Sequence, residues 1–255
     1  MQDFLKFFHE SLDLSREIIF PYYEDSELSV ETKADDTPVT LADRETERVL
    51  REKINEAFPS HGIIGEEFGT ENGDAEFVWV LDPIDGTKSF VAGVPLFGTL
   101  VALLKEGQPI LGAIDQPVLD QRVIGDGEIT RFNGKPVQIR KPSSLEQATL
   151  LTTDPLEPAQ LHNAAGWAAL TSTVRLYRTW GDCYGYLLLA AGKADIMVDP
   201  IVEKWDLLSL IPIIRGAGGQ ITDWHGGNPV TGNSIVAAHP DLHGEIMDLL
   251  EANPQ

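Results

Sequence analysis

Residues 77–87 read Phe-Val-Trp-Val-Leu-Asp-Pro-Ile-Asp-Gly-Thr. A short apolar run of β-branched and aromatic residues, 77–81, reads as a buried strand. It leads directly into Asp82 and Asp85, three residues apart. Pro83 lies between them and cannot donate to a sheet ladder, so both acids are expected to project from a rigid strand end. Gly86 permits close backbone approach, and a short helix is expected to start beside it. Carboxylates, a backbone carbonyl and water are the ligands a hard divalent cation prefers, while amides at a helix start suit phosphate oxygens. Asp-Pro and Asp-Gly are each common turn formers; the inference rests on the whole string after an apolar strand.

Two further acids stand in comparable settings. Glu66 and Glu67 follow the strand-like Gly62-Ile-Ile-Gly65, so one of them can face inward from a strand end. Asp206 sits near the start of an otherwise apolar helical stretch, where an acid also complements the helix dipole. The remaining acidity is a solvated surface: 40 Asp plus Glu against 19 Lys plus Arg give a formal charge of −21. Such a field repels nucleic acid and anionic membrane, since no basic stripe exists to release counterions. It also repels a phosphorylated ligand unless cations intervene. The single cysteine, Cys183, excludes a disulfide within the chain. No basic start followed by an apolar core marks a leader, and no apolar run approaches membrane-spanning length. A cytoplasmic location is the resulting expectation.

A chain of 255 residues suits one large domain or two tightly joined halves. Helical spacing covers residues 4–23 and 41–58, with Asp43 expected as the cap of the second helix and Pro59 beyond its end. Strands are expected at 63–64, 96–104, 110–115 and 121–124. The stretch 140–144 reads as a seam between an N-terminal half, 1–140, and a C-terminal half, 141–255. Beyond it, strands at 149–152, 173–177 and 196–198 alternate with helices at 158–170, 182–191 and 204–215. The first half therefore reads as α+β and the second as α/β.

Gly65-Glu-Glu67, then Asp82-Pro-Ile-Asp-Gly-Thr87, then Trp205-Asp206 with a helix and Ala217-Gly-Gly219 resemble, in order and spacing, the inositol-monophosphatase superfamily. The resemblance spans nearly the whole chain. It implies a layered αβαβα sandwich of the inositol-monophosphatase and fructose-1,6-bisphosphatase type, a homodimer, and metal-dependent hydrolysis of a phosphate monoester. It implies that Glu66, Asp82 and the Ile84 carbonyl hold one Mg²⁺, that Asp82, Asp85 and Asp206 hold a second, and that a third, weaker ion leans on Glu66; Mn²⁺ is an alternative. Thr87 would orient the attacking water with Asp43 behind it. Glu67 would support the ligands, and the Gly86 and Thr87 amides would contact phosphate. The physical logic agrees, because a cation pair neutralises a dianionic ester and stabilises entering and leaving oxygens. None of the six histidines lies in these motifs.

Finer strings, Gly86-Thr-Lys-Ser-Phe-Val91, Gly93-Val-Pro-Leu-Phe-Gly-Thr-Leu100 and Trp180-Gly-Asp-Cys-Tyr-Gly-Tyr186, resemble the histidinol-phosphate phosphatase branch. That ester carries an ammonium and an imidazole, so carboxylates away from the metals are required. Asp182 and Asp199 fall at the family's substrate-contacting positions, although Asp182 also suits a helix cap. The competing readings are an inositol-1-phosphate or broad sugar-phosphate phosphatase and, in another class, a non-catalytic binding protein of the transcription or ribosome-assembly machinery.

Overall fold

The computed structural model describes residues 1–24, 30–32, 38–141 and 144–251. The chain opens with α1 (Gln2–Glu24), a two-stranded ribbon of β1 (Val30–Thr32) and β2 (Pro38–Thr40), and α2 (Leu41–Ala57). Next come β3 (Gly62–Gly65), β4 (Gly69–Glu71), β5 (Phe77–Asp85) and the short α3 (Thr87–Val91). An antiparallel run follows: β6 (Gly98–Lys105), β7 (Gln108–Gln116), β8 (Gln121–Gly125), β9 (Thr130–Phe132) and β10 (Lys135–Val137). β3 to β10 form one eight-stranded sheet in the order β10-β9-β8-β7-β6-β5-β3-β4, in which only the β3–β5 pair is parallel. After residue 144 come β11 (Thr149–Leu151), α4 (Glu157–Leu161), α5 (Ala164–Thr173), β12 (Leu176–Arg178), α6 (Asp182–Ala190), β13 (Ile196–Asp199), α7 (Lys204–Leu207), α8 (Leu210–Gly216), β14 (Gln220–Thr222), β15 (Ile235–Ala238) and α9 (Pro240–Glu251). Their strands make a five-stranded mixed sheet, β12-β11-β13-β15-β14.

Strand alternation sorts the core into layers, because successive side chains point to opposite faces. Trp79, Leu81, Val101, Leu103 and Ala113 pack against Phe8 and Leu12 of α1 and Leu50 and Ile54 of α2. Their neighbours Val78, Val80, Leu100, Ala102 and Ile114 face the other way, onto Leu187 and Leu189 of α6 and Ile211 and Ile214 of α8. Those helices also cover Met197, Ile235 and Ala237 of the smaller sheet. The outer face of that sheet, with Leu150, Ile196, Val198 and Val236, meets Trp167 and Leu170 of α5 and Leu242 and Ile246 of α9. The order helices, sheet, helices, sheet, helices is the expected αβαβα sandwich.

Several local expectations need correction. The helix expected over 158–170 is two helices, because the Asn163 side chain accepts from the amides of Ala165 and Gly166 and starts α5 afresh. The helix expected over 204–215 breaks between α7 and α8; Pro212 has no amide to bond the Leu208 carbonyl, so one continuous ladder is impossible. The strand expected over 173–177 is displaced to Leu176–Arg178. Asp43 is the third residue of α2, inside the helix rather than its cap. The mixed character of the second sheet arises from β14 and β15, which the alternation of motifs did not reveal. Of the expected seam, residues 142 and 143 lie outside the described residues. No described helix is long and apolar enough to cross a membrane.

Candidate active site

The site is built where β5 stops pairing regularly. The β5–β6 register shifts between Asp82 and Asp85, at Pro83. The Thr99 hydroxyl donates to the Pro83 carbonyl across the irregularity at 2.8 Å. A bulge of this kind re-aims side chains at a strand end. Asp82 is 1% exposed, at the end of an apolar strand. Asp85 follows the bulge, with a carboxylate oxygen accepting the Cys183 amide from the start of α6. Asp206 arrives on α7, which packs against β5 and β6. There the Glu203 amide donates to Asp206 Oδ2 at 3.0 Å and completes a capping box. Oxygens of Asp82, Asp85 and Asp206 lie within 4.8 Å of one another. Glu66 follows β3, its amide bonded to the Leu81 carbonyl at 3.3 Å, which brings it beside Asp82.

The acids are electrostatically costly as they stand. Burial, then the charges of Glu66, Asp85, Asp206 and Asp43, hold Asp82 well above the usual carboxylate range. Burial, then Asp182 and Asp206, do the same to Asp85. Asp206 is pushed up to about 7, chiefly by burial. Asp82 Oδ1 is moreover buried with no hydrogen-bond partner. A buried, unsatisfied carboxylate oxygen among like charges needs a cation. An all-oxygen donor set fits a hard divalent ion. Burial drives the Cys183 thiol up as well, which makes it a packing residue and not a nucleophile.

Gly86 sits between the acids and α3 at φ 85°, a left-handed conformation. A Cβ there would meet the Leu96 carbonyl oxygen at 2.8 Å and Asp182 Oδ2 at 3.1 Å. Thr87 begins α3 and donates its hydroxyl to the Ile84 carbonyl at 3.0 Å. Its oxygen keeps lone pairs that can accept from a water molecule. The buried Asp43 approaches closely enough to raise Asp82.

Glu47 is a functional residue that motif reading missed. It is fully buried on the inner face of α2. Its carboxylate accepts from the Glu67 amide at 2.7 Å, the Phe68 amide at 3.2 Å and Arg51 Nε at 2.8 Å. It therefore ties down the loop carrying Glu66 and Glu67. Gly65 makes room, since a Cβ there would lie 2.0 Å from Glu47 Oε1. The available signal was an acid at 47 within the buried stripe Ala42, Asp43, Thr46, Leu50, Ile54.

The metal-cluster acids line a cleft of about 820 Å³, together with Thr87, Asp182, Glu157 and Trp205. A recess of about 90 Å³ adjoins it and reaches Asp199 and Tyr186. No histidine lines either space among the described residues. Asp182 opens α6 at φ 48°, after the capping position held by Gly181, so it is not the helix cap. Its amide donates to Thr153 Oγ1 at 2.9 Å, and burial pushes its carboxyl up to about 6. Asp199 lies deeper. Both its oxygens are engaged, by the Thr153 amide at 3.0 Å and the Tyr186 hydroxyl at 2.8 Å, and burial pushes it up to about 7. A separate cavity of about 540 Å³ around Arg16 and Arg122 offers no comparable chemistry. The guanidinium groups of Arg16 and Arg122 are already paired with Asp115, Asp120 and Asp13.

Known proteins resemble the chain over most of its length. The inositol monophosphatase family profile matches residues 1–255. The bifunctional phosphatase IMPL2 of Arabidopsis thaliana is 41% identical over 94% of this chain and 72% of its own. The histidinol-phosphatase of Chlorobaculum parvum is 37% identical over 90% of each chain. An inositol monophosphatase from Zymomonas mobilis superposes with a TM-score of 0.86 at 34% identity, covering 98% of both chains. With its layered sandwich and converging carboxylates, the chain belongs to the inositol monophosphatase family.

Proposed function

We propose that this phosphoric monoester hydrolase acts on L-histidinol phosphate, releasing L-histidinol and phosphate in histidine biosynthesis, with Mg²⁺ held by Glu66, Asp82, the Ile84 carbonyl, Asp85 and Asp206. One observation carries the substrate choice. The part of the cleft beyond the metal cluster is acidic, with Asp182, Asp154, Glu157 and Glu203, and Lys88 is the one cationic lining residue among those described. A neutral polyol needs no such field, whereas an ammonium and an imidazolium do. Relatives named histidinol-phosphatase support the same choice.

Divalent cations, when bound, supply charge neutralisation for the dianionic ester and the departing oxygen. The chain's own residues do the rest. The Gly86 and Thr87 amides hold phosphate oxygens. Thr87, its hydrogen committed to the Ile84 carbonyl, accepts from the attacking water and sets its lone pair in line with phosphorus. As the water's proton reaches Thr87 Oγ1, that hydroxyl's own hydrogen leaves the Ile84 carbonyl for Asp43, and Glu67 steadies the loop. Asp182 faces the cationic leaving group; Asp199, with both oxygens engaged, shapes the wall behind it.

Phosphate release from L-histidinol phosphate, inositol 1-phosphate and glycerol 2-phosphate, each with Mg²⁺, tests the proposal. The expected order of kcat/KM places L-histidinol phosphate first. A higher value for the inositol ester reassigns the substrate. Negligible turnover of all three returns the chain to the binding-protein reading.

A further inference from the structure

Asp199 already accepts from two donors, and the wall it supports carries another carboxylate, beside Asp182, that can meet the leaving-group cation. The turn from β11 to α4 passes along the cleft at residues 153–157. Thr153 anchors it from both sides: its amide donates to Asp199 and its hydroxyl accepts from the Asp182 amide. Asp154 lines the cleft but not the recess, and one of its oxygens holds the turn, accepting from the amides of Leu156 at 2.7 Å and Glu157 at 3.3 Å. Glu157 is different. It is partly buried, it lines both the cleft and the adjoining recess, and among the described residues no side chain or amide is hydrogen-bonded to its carboxylate. A carboxylate held at the junction of two polar cavities, on a turn pinned at Thr153 and Asp154, is positioned but unengaged. The other acids around the recess are Asp182 and Asp199 and, on its metal-cluster side, Asp85 and Asp206; no lysine or arginine lines it.

We infer that Glu157 is the specificity-determining carboxylate for a cationic leaving group, accepting a charge-assisted hydrogen bond from an ammonium or imidazolium that enters the recess between the β11–α4 turn and α6. This rests on the proposed function, because it presumes an ester whose alcohol carries positive charge. The metal cluster and Thr87 act on the phosphate; Glu157 selects what is attached to it. Since the contact exists equally in the ground and transition states, it acts on KM more than on kcat.

The test compares wild type with Glu157→Gln, which keeps the shape and removes the charge, and Glu157→Lys, which reverses it. Each is assayed with Mg²⁺ on L-histidinol phosphate and on the neutral glycerol 2-phosphate, and the inhibition constant of phosphate-free L-histidinol is measured alongside. For Glu157→Gln the expected result is a KM for L-histidinol phosphate raised roughly tenfold to a hundredfold, the size of one charge-assisted hydrogen bond. Its kcat should stay near the wild-type value, the L-histidinol inhibition constant should rise in parallel, and glycerol 2-phosphate should be unaffected. Glu157→Lys should weaken L-histidinol further while leaving glycerol 2-phosphate turnover in place. Unchanged KM and inhibition constant in both variants, or equal losses on both esters, overturn the inference. Wild-type selectivity judges the other question: preference for the cationic ester that survives Glu157→Gln defeats the role of Glu157 and spares the proposed substrate, whereas wild type without that preference defeats the substrate.

Discussion

Replacing Asp206 by asparagine should make the cation-free protein more stable while destroying its use for cations. In the folded chain the carboxyl is pushed up to about 7 from 3.8, mainly by burial. Between those values the native state binds more protons than the unfolded state, so stability is fully present below about pH 4 and is lost as pH rises through about 7. At about 1.4 kcal/mol per pH unit, the ionised group costs roughly 4 kcal/mol near pH 8. Asp206 keeps partial solvent contact, which reduces the recoverable part to about 2–3 kcal/mol. An asparagine oxygen can still accept from the Glu203 amide, so the capping box survives. For a domain of this length the gain converts to a rise in Tm of roughly 4–10 °C. The assay is thermal unfolding of wild type and Asp206→Asn in chelator, from about pH 4 to about pH 8. The gap should widen with pH. Saturating Mg²⁺ should then raise wild type steeply and the variant little, since a ligand stabilises only the state that binds it. A variant less stable than wild type in chelator near pH 8, or a gap independent of pH, would refute the electrostatic account of the cluster.

Two other substitutions probe separate parts of the site. Asp85→Asn should lower kcat by about a thousandfold or more with circular dichroism unchanged, because it removes metal-facing charge and not packing; retained turnover would remove Asp85 from the ligand set. Glu47→Ala should cost about 2–3 kcal/mol, as it removes the acceptor of two amides and one of the partners of Arg51, which keeps the Gly69 carbonyl and Glu71, and should also weaken Mg²⁺ activation through the freed Glu66 loop. A stable variant with normal Mg²⁺ dependence would show that the loop holds itself.

The cluster was legible because its chemistry is written in short contiguous strings. An apolar strand that turns acidic at its end can only place those acids at a sheet margin, and burial then brings the like charges together. Periodicity in 4–23 and 41–58 reports a buried stripe directly and so gave the two helices, whereas the layered order came from the resemblance of the motifs to a known family. What escaped reading depends on partners far along the chain. Glu47 looks like any helical acid followed four residues later by arginine, until the amides of Glu67 and Phe68 arrive. Asp199 reads as a ligand-facing acid, and nothing local announces that Tyr186 and Thr153 also bond its oxygens. The breaks at Asn163 and before Pro212 carried local signals, a capping side chain and a missing donor, that a purely apolar periodicity overlooks. β14 and β15 are only three and four residues long, too short for alternation to declare itself, and their antiparallel pairing depends on a chain reversal elsewhere.

The carboxylates hang from two supports: Glu66, Asp82 and Asp85 from the larger sheet itself, Asp206 from α7, which lies against β5, β6 and α8. Any breathing that parts these supports also spreads the oxygens that grip an ion. Ion release and separation of the supports are therefore one reciprocal equilibrium. Ion-free molecules should breathe further at this junction, and a substitution far from the ligands that loosens the α7–α8 packing should leak ions faster without altering a single oxygen donor.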